Sequence, residues 1–125
     1  MWSNRLDRLP ALVQPGGLVI FEAATRRSRL IGLSLIDGLR PDQALLILRC
    51  RSVHTFWMRF PIDITFLGKS GEVVRLVAAA RPRRLFGAAG ARAVLETAAG
   101  QAERFLEALP PPWTRADRSR GGHKR

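Results

Sequence analysis

The stretch Ser52-Val53-His54-Thr55-Phe56-Trp57-Met58-Arg59-Phe60-Pro61-Ile62-Asp63-Ile64-Thr65-Phe66-Leu67 decides how this chain is read. Its last six residues alternate. Ile62, Ile64 and Phe66 fall on one face of a strand and Asp63 and Thr65 on the other, because successive strand side chains point to opposite sides. Gly68-Lys69-Ser70-Gly71 reads as a hairpin loop. Glu72–Ala79 is then the return strand, built on Val73, Val74, Leu76 and Val77. Upstream, Ala44–Leu48 is apolar at every position, the pattern of a central strand buried on both faces. If that strand runs on through Arg49 and Arg51, then Cys50, Ser52 and His54 share one of its faces.

Working outward, Leu18–Ala23 is a further strand, preceded by a lead-in over 1–17 punctuated by Pro and Gly. Thr25 is placed to cap a short helix, with Leu30, Leu33 and Leu35 supplying apolar contacts around Gly32. Arg40-Pro41-Asp42 is a turn signal. On the other side, 81–92 reads as a loop rich in Arg and Gly, and Ala93–Thr97 as a strand with Ala93, Leu95 and Thr97 opposite Val94 and Glu96. Gln101–Leu109 has helical spacing, since Ala102, Phe105, Leu106 and Leu109 form one stripe. Pro110-Pro111-Pro112 ends it, because proline has no amide donor and clashes with the preceding turn. Residues 116–125 are polar and basic and are expected to be disordered. Short strands outnumber helices. The expected fold is mainly β: an antiparallel sandwich or partly open barrel with one or two short helices, spanning 18–109 as a single domain.

The 125 residues suit one domain large enough to bury its own core. No apolar run is long enough to cross a bilayer. The first 17 residues lack an apolar segment ahead of a small-residue cleavage site, so a cytoplasmic location is expected. Cys50 is the one cysteine, which rules out an internal disulfide and a multi-cysteine zinc site. It reads as a small buried apolar strand residue, the alternative being a reactive thiol. The net charge of +11 permits binding to phosphates or anionic surfaces. The basic residues gather in Arg26-Arg27-Ser28-Arg29, in Arg81-Pro82-Arg83-Arg84 and in the tail 114–125, but no recognised nucleic-acid module accompanies them.

His54 is the first candidate for chemistry, because an imidazole can serve as base, acid or metal ligand at neutral pH. Asp63 could orient it by accepting the other ring proton. Alternatively, both residues fix the backbone of the connection between two strands. Glu96 is the second candidate. It sits among apolar residues and needs a partner there, for which Arg51, Arg59 and Arg75 are available. Phe56, Trp57, Met58, Arg59 and Phe60 interleave aromatic and basic groups, as a stacking or partner-binding surface does. The alternative is that Phe56, Met58 and Phe60 plug the core while Trp57 and Arg59 point outward. His123, in the tail, is a poor ligand candidate. There is no P-loop, nucleophile elbow, His-Glu-x-x-His or cysteine pair. No metal or cofactor is expected.

The segment His54-Thr55-Phe56, then Met58-Arg59-Phe60-Pro61-Ile62-Asp63, a strand, a turn and a second strand resembles the family called domain of unknown function 192 (DUF192). Arg29-Leu30-Ile31-Gly32-Leu33, Arg81-Pro82, Ala93-Val94-Leu95-Glu96 and Gly100 match further elements in order, covering roughly 18–102. The chain departs from that pattern at Arg83, where members often have Trp, and at Trp57, where the nearest branch often has Gly. It departs again at 104–113, where a Gly-Asp turn and a short final strand are usual. The resemblance implies a jelly-roll-like sandwich and no established reaction.

The expected function is therefore a small non-enzymatic binding or accessory domain, its cleft near His54, Trp57, Arg59 and Asp63 holding a small ligand or a protein partner. The alternative is a hydrolase-like enzyme using His54 with Asp63 or Glu96, with or without a metal. A third reading is an accessory protein that meets nucleic acid or an anionic surface through its basic tail.

Overall fold

Three apolar runs make the centre of the molecule: β3 (Gln43–Leu48), β5 (Ile62–Leu67) and β8 (Ala93–Ala98). Nearly every residue in them is buried, because both faces of these strands are covered. The computed structural model describes residues 9–23, 38–55 and 58–108. The remaining described elements are β1 (Ala11–Val13), a 3-10 turn (Pro15–Gly17), β2 (Val19–Ala23), β4 (Ser52–His54), β6 (Val73–Ala80), β7 (Leu85–Gly87) and the helix α1 (Ala102–Ala108).

Six strands form one sheet in the order β1-β2-β3-β8-β5-β6, and β4 and β7 pair separately as a two-stranded sheet. Among the described residues the fold is mainly β with one short α-helix, in keeping with the expected mainly β class. It departs from a purely antiparallel arrangement in one place, where β2 and β3 run parallel with Val19 beside Gln43 and Ala23 beside Ile47. A parallel pair needs a long crossover, and the chain from 24 to 42 is long enough to make one. The hairpin pattern used to read the sequence carries no information about that pair.

One side of the large sheet packs Phe21, Leu45, Ile47, Ile62, Ile64, Phe66 and Val94 together with Val53 of β4 and Met58. The other side packs Ile20, Leu46, Leu67 and Leu95 against Phe105 of α1. The small sheet and the helix thus cover opposite faces. Ala102 and Phe105 are the buried members of the helical stripe, and Leu106 packs beside them.

Several sequence expectations are revised. The β3 run does not continue to His54. Arg49 takes a left-handed backbone conformation (φ 52°), which turns the chain out of the large sheet before it restarts as β4. Cys50 is accordingly half-buried against the core, whereas Ser52 and His54 are exposed. Residues 11–13 of the lead-in form an edge strand, and 85–87 of the expected loop form β7. Val73, Val74 and Leu76, on which the return strand is built, are exposed, because β6 is the last strand of the sheet. Thr25, the Arg26–Arg29 cluster, Leu30, Leu33, Leu35, Phe56, Trp57, Leu109, the Pro run and the tail lie outside the described residues.

Candidate functional site

Asp63 is buried on the helix side of β5. Its Oδ1 accepts the Ala79 amide at 2.9 Å, and its Oδ2 accepts those of Gly100 at 2.9 Å and Ala102 at 3.2 Å. Each amide is one the local fold leaves over. The pairing of β5 with β6 shifts register between Ile62 and Ile64, and Ala79 takes the left-handed region (φ 49°) there, the signature of a bulge. Gly100 (φ 87°) makes the turn after β8, and Ala102 opens α1, where amides lack partners inside the helix. One carboxylate thus joins bulge, turn and helix start.

His54 is exposed on β4, opposite Leu85 of β7. Its neighbour Val53 is the residue that enters the core, so by alternation His54 faces away from the core. Glu96 lies between Leu45 and Ile64 in the large sheet, on the face covered by the small sheet. Its Oε1 is buried without a hydrogen-bond partner. Burial raises its pKa from 4.5 to about 8, since an ionised carboxylate is penalised when it loses water. His54, Asp63 and Glu96 therefore occupy three surfaces: outside the small sheet, under the helix, and between the two sheets. Of the arginines considered as partners for Glu96, Arg75 is engaged elsewhere. It donates to the Gly87 carbonyl at 2.8 Å and lies 5.8 Å from the centre of the Phe86 ring. Arg51 and Arg59 are exposed. Met58 is buried, Phe60 half-buried and Arg59 exposed, which matches the alternation expected for the described part of that connection.

The residue that sequence reading passed over is Thr55. It is 1% exposed and acts as a hub. Its hydroxyl donates to the Arg81 carbonyl at 2.6 Å and accepts the Arg84 amide at 2.8 Å. Its own amide donates to the Arg84 carbonyl at 2.8 Å, and its carbonyl accepts the amides of Arg83 and Met58 at 3.1 and 3.2 Å. The only signal for it was a small polar residue in an otherwise aromatic and basic run. The hub uses backbone groups of the arginines, so their side chains are left to the surface. Arg59, Arg81, Arg83 and Arg84 are all exposed there, beside His54 and Leu85. At the far end of the small sheet, Cys50 donates its amide to the Arg92 carbonyl and Ala88 its amide to the Arg51 carbonyl, which gathers Arg49, Arg51 and Arg92.

From Arg49 to Arg92 every one of nine Lys and Arg residues is exposed, against one exposed carboxylate, Glu72. Among the described residues, no group of three or more His, Cys, Asp or Glu could hold a metal ion. Nor is any helix there long and apolar enough to cross a membrane.

This chain belongs to the DUF192 family, described as Uncharacterized ACR, COG1430, whose model matches residues 17–106. It is similar in structure to a protein of unknown function from Novosphingobium aromaticivorans, with a TM-score of 0.63 and 24% identity over 86% of this chain and 93% of that one. It is also similar to a protein titled a putative transcription regulator from Sinorhizobium meliloti, with a TM-score of 0.62 and 23% identity over 76% of this chain and 82% of that one. At these identities the likeness shows the fold alone. No functionally curated protein matches the chain significantly.

Proposed function

We propose that this domain is a small non-enzymatic binding module, a jelly-roll-like sandwich that takes an acidic ligand or partner on the arginine layer gathered around Thr55. The observation that carries this reading is the charge of that layer: Arg59, Arg81, Arg83 and Arg84 are all exposed around the hub, in a stretch 49–92 whose nine Lys and Arg residues are all exposed against one exposed carboxylate. Like charges held close together repel one another, and a rigid scaffold that keeps them together creates a field that attracts anions. His54 and Arg59 belong to this surface. Asp63 supports it from below by fixing β5 and β6, with both carboxylate oxygens accepting backbone amides. The separation of His54 from Asp63 and Glu96 favours binding over the hydrolytic alternative, because acid–base work needs groups that converge on one reacting atom.

The test compares the wild-type chain with R59Q/R83Q/R84Q, which removes three charges while leaving the hub's backbone bonds in place. The probes are an oligoglutamate peptide, inorganic phosphate, a dicarboxylate, and single-stranded and duplex DNA, titrated at low and high salt. Nucleic acid has a place among them because one structural neighbour is titled a putative transcription regulator. The expected result is salt-sensitive binding of at least one acidic probe that weakens tenfold or more in the triple variant. Equal binding by the two proteins, or no binding of any probe, would overturn the reading. A variant at His54 that binds normally but loses a hydrolytic activity would favour the enzyme instead.

A further inference from the structure

The outer edge of β6 is a second surface, which shares Arg81 with the arginine layer around Thr55 and otherwise lies apart from it. The strand ends the six-stranded sheet, and among the described residues no strand pairs with its outer side. Strand edges carry a row of amides and carbonyls ready to pair with another chain. This one is also apolar on its surface, with Val73, Val74 and Leu76 exposed by 49%, 41% and 43%. Register shifts break the pairing with β5 near both ends of the strand, and the regular stretch between them runs from Arg75 to Val77. Bulges of this kind limit how far an added strand extends, so only a short segment fits.

Charge selects the occupant. Lys69 stands at the hairpin before β6, Arg75 within it and Arg81 directly after it, all exposed. The one carboxylate nearby, Glu72, is turned back into the hairpin, where its Oε1 accepts the Ser70 amide at 2.9 Å. A second copy of a chain with net charge +11 would add its own cations to that edge. A segment with carboxylates flanking a short β-prone centre would instead place anions beside Lys69 and Arg81, and apolar side chains beside Val74 and Leu76.

We propose that β6 is a docking edge that accepts a short, extended, acidic segment of a partner protein as an added antiparallel or parallel strand. The inference goes beyond the binding surface proposed above and uses none of the three residues altered in its test.

The experiment titrates the full chain with a synthetic peptide carrying paired Glu residues around a Val-Thr-Val-Thr centre. Binding is read by fluorescence anisotropy, and backbone protection by hydrogen exchange across residues 72–81. Two control peptides carry either N-methyl groups at alternate backbone amides or Lys in place of Glu. The expected result is slowed exchange in β6, with binding at least tenfold weaker for both controls. R59Q/R83Q/R84Q is expected to give the same β6 protection as wild type, so this proposal and the arginine-layer reading fail separately. Equal binding of the N-methylated peptide, or protection confined to other segments, would overturn the docking edge. So would concentration-dependent β6 protection in the chain alone, which would make a second copy the occupant.

Discussion

Asp63 and Ala79 meet across a bulge, carboxylate Oδ1 to backbone amide at 2.9 Å, on the face of the large sheet away from the arginine layer. The contact gives a use to an amide that the register shift would otherwise leave unmatched. The Gly100 and Ala102 amides on the other carboxylate oxygen extend the same device to the end of β8 and the start of α1. Hydrogen bonds to a charged group contribute about 1.5–3 kcal/mol each, and three sharing one carboxylate sum to less than three times that. Asp63→Ala is therefore expected to lower the unfolding free energy by about 2–4 kcal/mol. Asp63→Asn is expected to cost less, about 1–3 kcal/mol, because one oxygen acceptor survives. Denaturant unfolding measures both. If Asp63→Ala unfolds at the wild-type midpoint, the lock described here is not what holds bulge, turn and helix together.

Thr55 gives a second prediction. Thr55→Val keeps the shape but strips the hydroxyl from between the Arg81 carbonyl and the Arg84 amide. Leaving both part-buried groups without this partner should cost about 1–3 kcal/mol. Thr55→Ser, which keeps the hydroxyl, should recover most of it. A thermal melt of the three proteins decides the matter, and a serine variant no better than valine would point to methyl packing instead.

Glu96 predicts a pH dependence. Its carboxyl has a folded-state pKa raised by burial to about 8, against 4.5 in the unfolded chain. Well below about pH 4.5 the group is protonated in both states and adds no pH dependence. Between there and about pH 8 the folded state holds a proton that the unfolded state has released, so stability falls as pH rises. Each pKa unit corresponds to about 1.4 kcal/mol, which bounds the full effect above pH 8 at about 5 kcal/mol. Glu96→Gln removes the titrating group. Its stability relative to wild type is expected to climb from pH 4 to pH 9 in denaturant melts, and parallel curves would refute this.

Much of the scaffold was legible in local pattern. The strands β2, β3, β5, β6 and β8, the Gly68–Gly71 hairpin and the helix all announce themselves by periodicity and turn chemistry, which act between neighbours in sequence. The faces of β5 and β8 also came out as read, because alternation is a property of the strand itself. The short β7 was hidden because three residues carry too little pattern, and its pairing with β4 joins segments thirty residues apart in sequence. The exposure of β6 was equally invisible, since an apolar strand reads the same at the edge of a sheet as in its middle.

The candidate site shows the same division. The sequence named His54, Arg59, Asp63 and Glu96 as residues whose chemistry has to be accounted for, and it supplied the excess of arginine. It determined, through residues 62–67, that Asp63 and Ile64 must face opposite ways. Only the tertiary structure decided what those faces meet. Asp63 finds three leftover amides, Glu96 lies between Leu45 and Ile64, and His54 stands exposed opposite Leu85. The reason is physical. Side-chain direction along a strand is local, whereas the environment waiting there is assembled from distant segments, as when Thr55 binds the backbone of Arg81, Arg83 and Arg84 while their side chains stay exposed.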